Sequence, residues 1–391
     1  MKILMSNLTK MVNHSDGVAK VVCAFANEMV KKGHEVSIIH SDEKEGEFFF
    51  PLDKSIKMFN ANENVNGSIV KRPFYLKALR EFLRLINREK AQLINRDYDE
   101  KMLVKNLKRY LDVIKPDVIV SHQPEGSMFL LHNMRVDIPV LTMAHGLPKE
   151  VYDEKELYAL EHSVIFQLLS PSFEAKINKK YPKIKTIVIG NSVPQFDFSA
   201  DLSAEKEQYK IVYVGRLNKN TKRPHLIVQA LERLKDKYPN WIVELWGEKE
   251  RQTYYAELEH LIKSNGLQDK VFLKGRTSNV PEVLRKSDIF AFPSFWEGFG
   301  LALAEGLSAG LPAVGFKTCP GVNELIKHGE SGYLCDDNLD DFVKALDNLM
   351  GDRNLRIRMG KVAKESMKQF EPQKNWDKWE SLILEAAVKG D

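Results

Sequence analysis

The chain has 391 residues, 43% of them hydrophobic and 29% charged, with 58 Lys and Arg against 54 Asp and Glu for a formal net charge of +4. This is the composition of a soluble globular protein, long for one domain and natural for two. No apolar stretch approaches the length that spans a membrane, and Cys23, Cys319 and Cys335 have neither metal spacing nor an even count, which points to reduced thiols.

Lys2–Ser6 reads as a first strand rather than an apolar signal core, so a cytoplasmic protein is expected. After a loop, Val18, Val21, Val22, Phe25 and Met29 recur at helical spacing from about Asp16 to Lys32. Gly33 closes that helix and Glu35–His40 forms the next strand. This is a βαβ start without G-x-G-x-x-G, since Gly17 stands alone, and that speaks against a nicotinamide enzyme. Residues 71–110 hold twelve basic and five acidic side chains. There Leu76, Leu79, Phe82, Leu83 and Ile86 share one arc of a helix and Lys77, Arg80, Arg84 and Arg88 another. Such a helix either packs its apolar stripe on the domain or lies on an anionic membrane surface. The basic residues lack interleaved aromatics, so nucleic acid is not expected. Strands then recur at Asp117–Ser121, Val140–Ala144, Val164–Leu169 and Thr186–Ile189, with His122 and His145 just past two of them, at the ligand edge of an α/β sheet.

Residues 194–208 are polar and aperiodic and read as a linker. The second domain opens with strand Lys210–Val214, followed by Gly215-Arg216-Leu217, Lys222 and a helix over about Pro224–Lys237. Trp241–Trp246, a helix over Arg251–Ser264 and Val271–Leu273 follow, then Gly275-Arg276-Thr277. DDNLDD at 336–341 lacks the glycine and distal Glu of a calcium loop and reads as a helix start.

The chemistry concentrates in Asp288–Gly315, DIFAFPSFWEGFGLALAEGLSAGLPAVG. Ile289–Phe292 is an apolar strand, FWEGFG a loop, LALAEGLSA a helix ended by Gly310, and Pro312 precedes the next strand. Gly298 and Gly300 let the backbone approach a ligand, and the amides of Gly300 and Leu301 form an anion site with the helix dipole behind them. Glu305, inside the helix, suits a neutral diol such as a ribose; Glu297, before the amides, suits a second polyol. Diol, phosphate and polyol are the order of groups in a sugar nucleotide.

Glu297-x7-Glu305 within PSFWEGFGLALAEGLSAGLPAV resembles the signature of the family-4 retaining glycosyltransferases. The resemblance implies the GT-B fold: two Rossmann-like α/β domains facing a central cleft, residues 1–193 for the acceptor and 209–371 for the nucleotide-sugar, with 372–391 crossing back as a helix onto the first domain. It implies that Gly17 approaches the donor, that His145 in TMAHGLP faces the donor sugar, and that Arg216 and Lys222 clamp the diphosphate. Arg supplies a rigid fork and Lys a point charge there. It also implies a donor site of Gly17, Arg216, Lys222, Arg276, Thr277, Glu297, Gly298, Phe299, Gly300, Leu301 and Glu305, with Glu297 positioning the sugar and Glu324 near it. Asp97-Tyr98-Asp99 spells the metal motif of another glycosyltransferase fold, but it follows a basic helix rather than a strand, so neither metal nor cofactor is expected. The expected reaction moves a sugar, from a UDP-sugar, to a hydroxyl of a glycan or lipid-linked acceptor, at the inner face of a membrane if 71–110 binds one. A sugar-nucleotide epimerase of the same fold and a silent sugar-nucleotide-binding protein are the alternatives.

Overall fold

The structure is a computed structural model and describes residues 1–14, 16–70, 73–86 and 88–388. The chain divides into two compact units, Met1–Ile189 with Trp376–Asp391, and Gly190–Asn375.

The first unit carries β1 (Lys2–Asn7), α1 (Gly17–Lys31), β2 (Glu35–His40), β3 (Lys57–Asn60), α2 (Phe74–Ile86), α3 (Arg88–Ile114), β4 (Val118–Ser121), α4 (Pro124–Ser127), β5 (Val140–Met143), α5 (Glu154–His162), β6 (Ile165–Leu168), α6 (Pro171–Lys180) and β7 (Thr186–Val188). All seven strands pair in parallel in the order β3-β2-β1-β4-β5-β6-β7. The central strands are buried along their length, as near-continuous runs such as Ile3, Leu4 and Met5 require in a sheet covered on both faces. Asp16 caps α1 by accepting from the Ala19 amide at 2.9 Å, so the acid before Gly17 has a local structural role.

The second unit carries β8 (Tyr209–Val214), α7 (His225–Leu234), β9 (Trp241–Trp246), α8 (Gln252–Ser264), β10 (Val271–Gly275), α9 (Val280–Arg285), β11 (Ile289–Phe292), α10 (Leu301–Ser308), β12 (Ala313–Phe316), α11 (Val322–Leu325), β13 (Gly332–Cys335), α12 (Leu339–Gly351) and α13 (Arg353–Ser366). Its six parallel strands run β10-β9-β8-β11-β12-β13. The last helix, α14 (Pro372–Val388), starts in the second unit and continues into the first. There Trp376 and Trp379 enclose the buried Phe25 of α1 at ring distances of 5.2 and 5.1 Å. Lys32 donates to Asp377 and Glu380 on the same helix at 2.6 and 2.8 Å.

The structure adds detail to two of these readings. Residues 194–208, read as a linker, are held on the second unit. Ala200 donates to the carbonyl of Ala309 at 2.7 Å, Gln195 to that of Met367 at 3.1 Å, and Lys206 pairs with the buried Asp288 at 2.7 Å. A polar, aperiodic stretch meets its backbone demands by lying on its own domain, and the division falls at Ile189 and Gly190. The apolar arc of α2 is only partly packed: Leu76 is buried, while Phe74, Tyr75, Leu79 and Phe82 are exposed. Lys71 and Arg72 lie outside the described residues, as do the side chains of Lys77, Ile86, Arg88, Lys90, Arg96 and Asp97. Asp97-Tyr98-Asp99 falls inside α3.

Candidate functional site

In each sheet the strand order reverses once, between β1 and β4 and between β8 and β11, and open α/β sheets bind ligands beyond the carboxyl ends at such a point. In the second unit the strand ends are drawn together by backbone. Gly215 donates to the Trp246 carbonyl at 2.9 Å and Gly247 to that of Gly275 at 2.8 Å. A Cβ on Gly247 would lie 1.8 Å from the Gly215 oxygen, so only glycine allows this approach.

Beside these turns, the loop before α7 presents Lys222, whose Nζ donates to Glu297 Oε1 at 2.5 Å and stands 5.7 Å from the Phe292 ring centre. Glu297 and Glu305 are both buried, one in the loop after β11 and the other within α10. Gly300 sits at φ +85°, a left-handed turn that releases the chain into α10, whose first amides have no partner inside the helix. Helix α10 is buried almost all round, its residues apolar apart from Glu305 and Ser308. Gly306 lets it lie on β11, since a Cβ there would stand 2.5 Å from the Phe290 ring. Gly321, at φ +78°, where a Cβ would stand 3.1 Å from the Phe299 backbone, sets the turn after Cys319 against the same loop.

The remaining residues expected on the donor side are placed less uniformly. Arg216 leaves β8 half-exposed and faces Glu250 at 3.7 Å rather than sharing the carboxylate of Lys222. Arg276 faces Glu248 at 3.8 Å, and Thr277 accepts from the Asn279 amide at 3.0 Å, which turns the chain toward α9. Gly298 is buried, and Phe299 packs edge-on against Phe370 at 5.1 Å, so its ring serves the core. Leu301 opens α10, and Glu324 is exposed on α11.

In the first unit Gly17 opens α1 and is exposed. His145 follows β5, and its Nε2 lies 3.0 Å from Nδ1 of His122, which follows β4; the two rings are parallel. Burial pushes His145 down to about 4, with the Asp16 carboxylate opposing, and pushes fully buried His122 well below its ordinary value, helped by His145. Both imidazoles are therefore neutral near pH 7. Burial pushes the thiols of Cys23, Cys319 and Cys335 up to about 12, so none is a thiolate nucleophile. Among the described residues, no cluster of His, Cys, Asp or Glu is arranged to hold a metal ion, and no helix is long and apolar enough to cross a membrane.

Two residues with structural consequences escaped the sequence analysis, and a third was read there without its partner. Asp42 is buried after β2 and accepts from His40 and from the amides of Met11 and Val12; burial works against its ionisation, but these bonds outweigh it and hold it below the usual carboxylate range. It fixes the loop that follows β1. Its signal was an acid just past a strand end. Arg223, at φ +50°, donates to the Pro293 carbonyl at 3.0 Å, pairs with Asp337 at 2.8 Å and stands over the Phe295 and Phe316 rings, so it anchors the FWEGFG loop. Nothing in its sequence context sets it apart. The third, His122, was noted at its strand end without its pairing to His145.

Two parallel α/β units, each with a polar cluster where its strand order reverses, define the GT-B fold. HepE of Anabaena, solved in complex with UDP and glucose, matches over 98% of this chain and 100% of its own at a TM-score of 0.73 and 17% identity. A model of glycosyl transferases group 1 matches residues 194–366, and one of glycosyltransferase family 4 matches residues 15–193. The chain is also 25% identical to an uncharacterized glycosyltransferase of Haemophilus influenzae over 95% of its length and 97% of that protein's. It is 24% identical, over 95% and 96%, to the GalNAc-alpha-(1->4)-GalNAc-alpha-(1->3)-diNAcBac-PP-undecaprenol alpha-1,4-N-acetyl-D-galactosaminyltransferase of Campylobacter jejuni. The chain belongs to the group 1 glycosyltransferases of the family-4 type, and it is a transferase enzyme.

Proposed function

We propose that this chain transfers a sugar from a UDP-sugar to a hydroxyl of a glycan or lipid-linked acceptor, with retention at the anomeric carbon, in surface polysaccharide or glycolipid synthesis. The observation that carries this reading is Lys222 held on Glu297 at 2.5 Å, beside the N-terminus of α10, with Glu305 buried in that same helix. The UDP and glucose bound by HepE and the polyprenol-diphosphate acceptor in the name of the Campylobacter relative support the donor and acceptor classes.

In this reading Glu305 accepts hydrogen bonds from the ribose diol. The first amides of α10, Lys222 and Arg216 take up the charge that grows on the diphosphate as it leaves, with no metal required. Glu297 orients the sugar, and His145, neutral, donates a hydrogen bond to it. The bond from the anomeric carbon to the diphosphate oxygen breaks, the acceptor oxygen bonds to that carbon from the same face, and the acceptor proton passes to the departing diphosphate oxygen. No covalent nucleophile takes part. Helix α2, with Phe74 and Phe82 exposed beside Arg80 and Arg84, lies on an anionic membrane surface at its cytoplasmic side.

The test is nucleotide release from a panel of UDP-, GDP- and ADP-sugars without acceptor, with Glu305→Ala in parallel. Slow hydrolysis of one UDP-sugar, lost in the variant, is the expected result. Thermal stabilisation by a nucleotide without any release would make the chain a silent binding protein, and conversion of a UDP-sugar to its epimer would make it an epimerase. If no sugar nucleotide is hydrolysed and no nucleotide stabilises the protein, the assigned site is overturned.

A further inference from the structure

The ring of His122 is fully buried, with the edge of Phe25 against it at a centroid distance of 6.1 Å. Its Nδ1 meets His145 Nε2, while its Nε2 has no partner among the described residues. One proton serves that contact, so only two neutral arrangements exist. If His145 Nε2 carries it, His122 must carry its own proton on Nε2, leaving a buried N–H with nothing to accept it. If His122 Nδ1 carries it, the orphan atom is a bare ring nitrogen. Buried N–H groups without acceptors are the rarer and costlier defect. Protonating either ring would restore that orphan N–H and bury a charge, which agrees with the depressed values of both groups.

We propose that His122 is a positioning residue: its Nδ1–H donates to His145 Nε2, fixing His145 as the tautomer that carries its proton on Nδ1. Resting on the transfer reaction above, this makes His145 a preset neutral donor to a sugar oxygen rather than a proton-transfer group. The alignment follows from the fold. Strands β4 and β5 are neighbours with Ser121 opposite Thr142, and the His122 amide donates to the Ser6 carbonyl of β1 at 2.9 Å, which fixes the backbone carrying the ring. A free histidine in water favours the proton on Nε2, so the opposite tautomer at His145 is a state that this neighbour must impose.

Two readouts test this. Nitrogen-15 NMR of the ligand-free protein, labelled at histidine, reads the tautomer without any activity. His145 is expected with Nδ1 protonated and Nε2 bare in the wild type, and with the Nε2–H form gaining population in His122→Phe. A wild-type His145 protonated on Nε2 overturns the proposal, even if no variant folds. In donor hydrolysis, His122→Phe is expected to lower kcat about tenfold or more, with KM for the donor changed less than about threefold. His122→Asn, whose amide N–H takes the place of Nδ1–H, recovers most of that loss. An Asn variant as slow as the Phe variant would overturn the proposal, because size and packing would then explain both. Should the wild type turn over no sugar nucleotide, the transfer reaction fails while the NMR result still decides the tautomer.

Discussion

Replacing Lys222 by Met removes one charge with little change of shape and leaves the Glu297 carboxylate buried without its cation. The side chains are 16% and 9% exposed, and the Glu297 charge acts on buried Tyr213 and Cys319. Breaking a fully buried pair from one side costs about 3–5 kcal/mol and an exposed pair is worth about 0–1. This pair is nearer the first limit, so the discounted expectation is a loss of roughly 2–3 kcal/mol. Glu297→Gln should lose roughly 1 kcal/mol, since the amide oxygen still accepts from Lys222 and the ammonium keeps some contact with water. The double variant should be more stable than the sum of the single losses predicts, by roughly 1–2 kcal/mol. The assay is urea unfolding at pH 7 followed by tryptophan fluorescence, with the slope checked for constancy across variants. UDP binding gives a second axis. Lys222→Met should weaken it about 10- to 100-fold, the worth of a charge-assisted hydrogen bond, whereas Glu297→Gln, which releases the ammonium, should bind UDP at least as well as wild type yet fail to turn over the donor. A Lys222→Met protein as stable as wild type, with unchanged UDP affinity, would refute both the buried pair and its role as the diphosphate cation.

Three further outcomes are expected. Gly306→Ala forces a Cβ to 2.5 Å from the Phe290 ring, so it should cost roughly 1–3 kcal/mol despite better helix propensity, and it should weaken nucleotide binding by shifting the Glu305 turn; thermal denaturation with and without UDP checks this. Stability should fall as pH drops from about 6.5 to about 4. Burial holds His145 and His225 near 4 in the folded chain, with Arg223 and Lys219 also lowering His225, so the unfolded chain takes up protons first. The slope is about 1.4 kcal/mol per pH unit for each group, and His225→Gln should remove one share in urea titrations at pH 5 and 7. Pelleting with anionic liposomes should fall roughly thirtyfold on removing the two charges in Arg80→Gln with Arg84→Gln, at about 1 kcal/mol per basic residue, and should be absent with neutral lipid; unchanged pelleting would remove the membrane from the proposal.

The sequence was most legible where one segment had to satisfy several demands at once. Ile289–Phe292 is buried on both faces, Gly300 takes a left-handed turn, and Gly310 with Pro312 ends the helix, so pattern and geometry agree to within a residue. Most other strands were readable for the same reason. Strand β3 was not: Lys57–Asn60 is a four-residue edge strand with its first two residues exposed, and it shows neither an apolar run nor alternation. The π-helical turn Met128–Met134 carries the apolar pattern of an ordinary helix, and only the left-handed Arg135 at its end marks it. Side-chain partnerships were the least legible. The spacing of Arg216 and Lys222 suggested one shared clamp, yet the fold gives each its own carboxylate, because Leu217 pairs with Glu248 along the β9 turn and carries Arg216 toward Glu250.

That separation bears on how the site works. The two cations expected to meet the diphosphate each stand near an acid, Lys222 on Glu297 at 2.5 Å and Arg216 near Glu250 at 3.7 Å, and Arg276, expected elsewhere in the donor site, stands near Glu248 at 3.8 Å. In the proposed reaction a diphosphate competes with these carboxylates, and the net gain is a difference of interactions. The loose arginine pairs are half-exposed and cost little to give up. The lysine pair is short and buried, so exchanging it is the expensive step, and it is the step that leaves Glu297 free of its cation and open to a sugar hydroxyl. Coupling the release of Glu297 to the arrival of a diphosphate would make a nucleotide-linked sugar a better ligand than a free sugar of the same shape, since only the former supplies the anion that draws Lys222 away.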